Sequence, residues 1–315
     1  MLYGDQIYSW WPREVRPVAV TGFSVPMPMP MAQSPAVARL FVRVALKGAR
    51  EIGAMTQTDV AKSLDWSLSK VQRIESGEVA VTKTDLMAMV RHYDNLTSED
   101  AERLVELVRV SRKGTGWWDE YKGLLTASFV ELIQFENEAA VIRVYNPLVM
   151  PGLLQTRSYR SSVIDKWMPD IDPEHKEIKL KVLESRKRNF VVREPRPHYQ
   201  VLLDESVLRR ELGVVDVMVG QLRDLLRVMD AGHVELGILK HDTELPARAN
   251  SFILLRFGST DSVLYEEAFP NDQVITDPEQ IRSHGRIFDR MWQGAAQGED
   301  ARSLIERRLV ELAAR

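Results

Sequence analysis

The chain of 315 residues contains no cysteine. That absence removes disulfides, thiolate nucleophiles, cysteine-bound zinc and iron–sulfur clusters, and it suits a reducing cytoplasm. Long apolar runs are missing too: nothing approaches the roughly 18 to 20 apolar residues needed to span a bilayer, so no membrane partner is expected. Histidine is scarce, with 6 scattered copies and none in the His-x-x-x-His or His-Glu-x-x-His spacing of a metal site. Neither a Gly-x-x-x-x-Gly-Lys loop nor a Gly-x-Ser-x-Gly elbow occurs, which leaves phosphate cradling and serine hydrolysis without their usual sequence support. "HDTE" at 241–244 sets one histidine beside two carboxylates, and it reads as a solvated loop after a strand. No catalytic residue, metal or cofactor is expected.

What is present is the composition of a soluble globular protein, 44% hydrophobic and 28% charged with a formal net charge of -3. The length exceeds what one compact core usually holds, so two domains are expected. The start, "MLYGDQIYSWWPREV", lacks the basic and continuous apolar regions of a secretory signal, which points to a cytoplasmic protein. Residues 1–35 include "VPMPMPMAQSP", where alternating prolines delete backbone donors and bias their neighbours away from helix. This segment reads as disordered, with Met27, Met29 and Met31 as alternative starts.

Charge is unevenly distributed. Arg39, Arg43, Lys47 and Arg50 follow one another at helical spacing with no acid among them, which predicts a basic stripe whose Arg43 and Lys47 face phosphate. A helix fits residues 36–52 behind that stripe, with Leu40, Phe41 and Val44 turned inward. Thr56 then opens a second helix as N-cap, with Asp59 completing a capping box. Val60, Ala61 and Leu64 form its buried face, and residues 65–67 form a corner. Ser67 caps a third helix in which Val71 and Ile74 are the only apolar pair at helical spacing. That leaves Leu68, Ser69, Lys70, Gln72 and Arg73 facing out, and Gly77 suits the helix C-terminus. Thr82 with Asp85 and Thr97 with Asp100 repeat the capping pattern ahead of two more helices. Five helices by residue 112 make an N-terminal all-α domain over 36–113, and "RKGTG" at 112–116 reads as a hinge.

Beyond the hinge, helices and strands mix without strict alternation, so a larger C-terminal α+β domain is expected over 117–315. Tyr121, Leu125, Phe129 and Leu132 share a helical face, and residues 152–168 and 172–191 read as helices. "VIRVY", "HYQVLLD", "HVELGILK", "SFILLRF" and "SVLYEEAF" read as strands. A long helix starts at Thr276-Asp277-Pro278, with Pro278 at N1 where its missing N–H is harmless. Asp204 suits an N-cap, Arg186 or Arg188 pairs with an acid elsewhere, and Trp117 and Trp118 pack as buried aromatics.

A helix that enters a DNA major groove needs polar side chains outside, apolar ones behind, and a preceding helix to brace it. Residues 56–77 meet that description. Gln72 and Arg73 can make paired hydrogen bonds to adenine and guanine edges, Ser69 and Lys70 can reach bases or phosphate, and Leu68 can touch a thymine methyl. "TQTDVAKSLDWSLSKVQRIESG" resembles the helix-turn-helix of the phage-repressor and xenobiotic-response-element family, in its "TQ" opening, central "A", "S" cap and "IE-G" ending. The resemblance implies base contacts from Leu68, Ser69, Gln72 and Arg73, phosphate contact from Gln57, and Lys70 near the backbone. It makes Glu75 an internal structural residue. Asp65 departs from the family's usual glycine in the corner; aspartate tolerates left-handed geometry better than most residues. Trp66 is bulky for its place.

The second region resembles the uncharacterised domain that follows such helix-turn-helices in many actinobacterial regulators. "ENEAAVIRVYNPLVMPGLLQT", "VLLDESVLRRELG", "QLRDLL" and "SFILLRF…VLYEE" carry that likeness, "VMPGLLQT" most specifically. It implies a regulator, often with a small partner protein. The expectation is a sequence-specific regulator that binds double-stranded DNA as a homodimer, controlled through its C-terminal domain; the alternative is an antitoxin-like interaction module.

Overall fold

A computed structural model describes residues 35–77, 79–112, 116–121, 123–243, 250–257, 262–268 and 272–314. The segment read as disordered and most of the expected hinge lie outside the described residues. The chain divides into two compact units between 115 and 116.

The first unit is all helical: α1 (Pro35–Ile52), α2 (Gln57–Ser63), α3 (Leu68–Ser76), α4 (Lys83–Tyr93) and α5 (Ser98–Ser111). Each start after α1 is set locally. Thr56, Ser67, Thr82 and Thr97 sit in extended conformation and accept the N–H three residues on, supplying one of the acceptors a helix start lacks. Thr56 and Thr97 form full capping boxes. The α2–α3 corner turns through Asp65, at φ 55, so the left-handed geometry expected of this position is present. Leu40, Leu46, Val60, Val71, Ile74, Leu86, Met89 and Leu104 are buried as the core.

The second unit is built on a seven-stranded mixed sheet in the order β6-β5-β4-β1-β2-β3-β7. The strands are β1 (Val141–Asn146), β2 (His198–Asp204), β3 (Glu235–Leu239), β4 (Phe252–Arg256), β5 (Ser262–Glu266), β6 (Gln273–Ile275) and β7 (Ala296–Gln297). β1, β2 and β3 are parallel neighbours, and the remaining pairings are antiparallel. Parallel neighbours need long crossovers. α7 (Arg157–Trp167) and α8 (Pro173–Val192) lie between β1 and β2, and α9 (Ser206–Arg209) and α10 (Val215–Asp230) lie between β2 and β3. The central strands carry correspondingly apolar runs, as in "VLL" of β2 and "ILL" of β4. α11 (Pro278–Gly294), capped by Asp277 as expected, packs Ile281, Phe288 and Met291 against Tyr145, Leu202, Phe252, Leu254 and Leu264 on one sheet face. α12 (Gly298–Ala313) closes the chain.

Two expected helices are broken. The helical face through Tyr121, Leu125, Phe129 and Leu132 is not continuous: a 3-10 turn spans Trp117–Tyr121, and α6 starts only at Ala127 and runs to Glu136. Gly123, at φ 83, and the Thr126 cap stop and restart the helix. The expected 152–168 helix splits into a 3-10 turn, Gly152–Leu154, and α7. The break is held from outside by Gln221 on α10, whose side chain accepts the Thr156 N–H and donates to Leu154 O, both at 2.8 Å. Gln155 donates to Met150 O at 2.6 Å, and Tyr159 Oη accepts the Met150 N–H at 3.2 Å. The "VMPGLLQT" stretch is thus a hydrogen-bonded junction among β1, α7 and α10.

Candidate nucleic-acid interface

The spacing of α3 decides what it shows. Val71 is fully buried and Ile74 nearly so, whereas Leu68 is 40% exposed, and Ser69, Gln72 and Arg73 are exposed on the same side. Leu68, Ser69, Gln72 and Arg73 stand at i, i+1, i+4 and i+5, which places them on one outward face. All four residues expected to touch bases therefore lie together.

Glu75, at the border between that face and the one carrying Val71, is buried. A buried carboxylate needs a partner, and α1 supplies it: Arg50 Nε and Nη2 donate to Glu75 Oε1 and Oε2 at 2.7 and 3.0 Å. This hydrogen-bonded pairing raises the Arg50 pKa above its ordinary value against the opposing effect of burial. Gln57, at the first position of α2, donates its amide to Glu75 Oε2 at 2.9 Å. One carboxylate on α3 thereby ties α1, α2 and α3 together, the internal role that the helix-turn-helix resemblance implied for it.

The expected basic stripe on α1 is not formed. Arg43 and Arg50 are each only 8% exposed. Arg43 Nη1 donates to Ser76 O at 3.1 Å and lies against Gly77, where an added Cβ would overlap the guanidinium. Gly77, at φ 83, is thus required twice, by its backbone and by the side chain packed on it. Arg39 donates to Ser111 O at 3.1 Å. Of the four cations only Lys47 is exposed, 3.9 Å from Glu51. The phosphate-facing placement expected of Arg43 is corrected on that ground: helical spacing found the face, and the face turned inward because α3 ends on it.

Lys70 is also held within the unit. Its Nζ is 2.7 Å from Asp85 Oδ1 and 3.7 Å from the centre of the Trp66 ring. Asp85 in turn accepts from Thr82 Oγ1 at 2.8 Å. Trp66, bulky for a corner, is accommodated half-buried with the lysine stacked on it. Sequence reasoning missed the inward arginines, although one signal pointed to them. A carboxylate flanking the buried Val71 requires a buried cation, and α1 carried four candidates.

Among the described residues no three His, Asp or Glu side chains could hold a metal ion, and no helix is long and apolar enough to cross a membrane. Glu244 of "HDTE" lies outside the described residues. In the second unit Asp204 accepts the Ser206 N–H at 2.8 Å, but the N-cap of α9 is Glu205, one residue on from the position expected. Arg186, not Arg188, has the buried acid partner, Glu136.

The helical unit defines a helix-turn-helix protein, and residues 43–113 match a helix-turn-helix domain, which supports a DNA-binding regulator. Residues 129–307, more than half the chain, match the domain of unknown function DUF5753, and the chain belongs to that family. No curated protein and no solved structure matches it.

Proposed function

We propose that the chain is a cytoplasmic, sequence-specific transcriptional regulator of the phage-repressor and xenobiotic-response-element kind, with α3 read into the major groove. The observation that carries the reading is the division of α3: Gln72, Arg73, Ser69 and Leu68 outward, with Glu75 fixed from behind by Arg50 and Gln57. A reading helix must hold its side chains in register with base edges, and a clamp on its inner face does that. Base contacts are assigned to those four outward residues. Phosphate contacts are assigned to Lys47, and to Gln57 and Lys70, for which phosphate competes with Glu75 and Asp85. The C-terminal domain is assigned the control of DNA binding, and no catalytic activity is assigned to the chain.

One helix-turn-helix reads only a few base pairs, so useful specificity takes two copies on half-sites about one helical turn apart. The working form is therefore a homodimer. Sedimentation that finds monomer both free and on operator DNA sinks that part. The decisive experiment is genome-wide capture of DNA fragments by the purified protein, repeated with Gln72→Ala and Arg73→Ala combined. An enriched motif that disappears in the double variant supports the reading; equal capture by both refutes it.

A second reading, an antitoxin-like module acting mainly through a small partner protein, draws on exposed apolar side chains of the second unit, Trp167, Met168, Val191 and Val192. A stoichiometric small protein that copurifies, together with sequence-independent DNA binding, selects this reading.

A further inference from the structure

The helix starts of the first unit that follow a Ser or Thr cap are built alike except in one charge. Thr56, Thr82 and Thr97 are each followed three residues on by an aspartate. Asp59, Asp85 and Asp100 accept from these capping hydroxyls at 2.6, 2.8 and 2.7 Å. An acid in the first turn complements the positive end of a helix. α3 breaks the pattern. Its cap Ser67 accepts the Lys70 N–H at 3.2 Å, and its first turn holds that cation and no acid. The helix that carries the outward set is thus the one whose head is charged against its own dipole, an arrangement that folding alone disfavours.

The acid that α3 lacks comes from α4. Asp85 divides its carboxylate: Oδ2 takes the Thr82 hydroxyl, and Oδ1 stands 2.7 Å from Lys70 Nζ. The ammonium also lies 3.7 Å from the centre of the Trp66 ring, so a ring and a carboxylate together hold it. The two side chains of the pair are 38% and 19% exposed, which makes the contact firmer than the more solvated one between Lys47 and Glu51. Helical spacing places Lys70 at the edge of the outward face, one turn before Arg73. Ser67 and Ser69 are exposed beside it, so a duplex docked on the outward set brings phosphate to that edge.

A cation that meets phosphate releases a condensed counterion. Here the same move strips Asp85 of its partner and leaves a carboxylate beside the duplex, which recruits a cation from solution. The pair therefore enters the complex with no net charge, and its own contact energy is set against that of the phosphate contact. This opposition is independent of base sequence, because phosphate carries none.

We infer that Asp85 is an affinity-setting residue: it competes with phosphate for Lys70 and so weakens the binding of each helical unit to every DNA sequence alike. The inference rests on the reading of α3 as a DNA-reading helix. Weak single units make occupancy depend on two engaged at once, since the second copy binds at the high local concentration that the first provides.

The test titrates the full chain against a random-sequence duplex and against a captured genomic fragment over a range of salt. The parent is compared with Asp85→Asn, Lys70→Gln and the two combined. Asp85→Asn should tighten binding about tenfold on both duplexes and steepen the slope of log affinity against log salt by about 1. With Lys70→Gln already in place, the same substitution should gain only about threefold or less, because what remains is relief of repulsion between Asp85 and phosphate. An equal gain in the two backgrounds overturns the proposal, since Asp85 then acts only through its field. So does an absent gain in the parent background, or a gain confined to the captured fragment. Thermal melting of each variant checks the fold, in which Asn can still accept the Thr82 hydroxyl; Asp85→Ser, which removes the charge with a smaller polar side chain, must reproduce the result. A parent that binds neither duplex removes the regulator reading and this inference with it, whereas a parent that binds without the expected gain in Asp85→Asn removes this inference alone.

Discussion

Among the described residues each unit contains a buried, bidentate arginine–glutamate pair, and the two pairs have different surroundings. Arg50 and Glu75 are joined by Gln57, and the neighbouring Arg39 and Arg43 end on backbone carbonyls. In the helical unit the cations nearest the pair are used internally, and what remains outward is the polar face of α3. Arg186 and Glu136 form a pair of equal geometry, but here the arginine also lies over Phe129 and the pair joins α6 to α8. The first arrangement fixes a surface; the second fixes two helices of the sheet domain to each other. Identical local chemistry therefore braces an outward-facing helix in one unit and a pair of helices in the other.

Removing one member of either pair is expected to have the largest effect. Glu75→Ala leaves Arg50 buried without a carboxylate and should destabilise the helical unit by about 3–5 kcal/mol, read as faster amide hydrogen exchange in α1–α3. Glu136→Ala should do the same to α6 and α8. If Glu75→Ala slows or leaves unchanged the exchange of α3 amides, the clamp is not what holds the reading helix.

Next in size is the outward face. Arg73→Ala should cost about 1–3 kcal/mol at the specific site and relax sequence preference, measured by titration against operator and random duplexes. Equal losses on the two duplexes refute a base-reading role. Smaller again is a cap far from that face: Thr97→Ala removes the acceptor for the Asp100 N–H and half of a capping box, for about 1 kcal/mol in urea unfolding, with no change in sequence preference.

The parts legible in the sequence were those decided within a few residues. Thr56, Ser67, Thr82, Thr97 and Asp277 cap helices because a short polar side chain reaches an N–H three residues on, and no distant contact is needed. The five longer strands showed themselves through β-branched and aliphatic runs, whereas the two short edge strands β6 and β7 are too brief for any pattern. The outward set on α3 was legible because Val71 and Ile74 left only one face to bury. Distant partners erased the rest. The 152–168 helix breaks because Gln221, on α10, takes the backbone groups that a continuous helix would have used. The parallel arrangement of β1, β2 and β3 likewise depends on crossovers that periodicity does not register.

Arg43 and Lys47 sharpen the same contrast with the smallest effects. Four residues apart on one helix, they were expected to act alike on phosphate, each weakening all DNA sequences when removed. The structure separates them. Arg43 is buried on Gly77 and bonded to Ser76 O, so Arg43→Ala should lower stability by opening the end of α3, with its DNA effect following from the loss of fold. Lys47 is exposed beside Glu51 at 3.9 Å, a pair worth little to stability. Lys47→Ala should therefore leave unfolding unchanged and reduce the slope of log affinity against log salt by about 1, equally on specific and random DNA. An unchanged slope removes Lys47 from the interface, and a matching slope change from Arg43→Ala at full stability would show that the buried arginine turns outward on DNA after all.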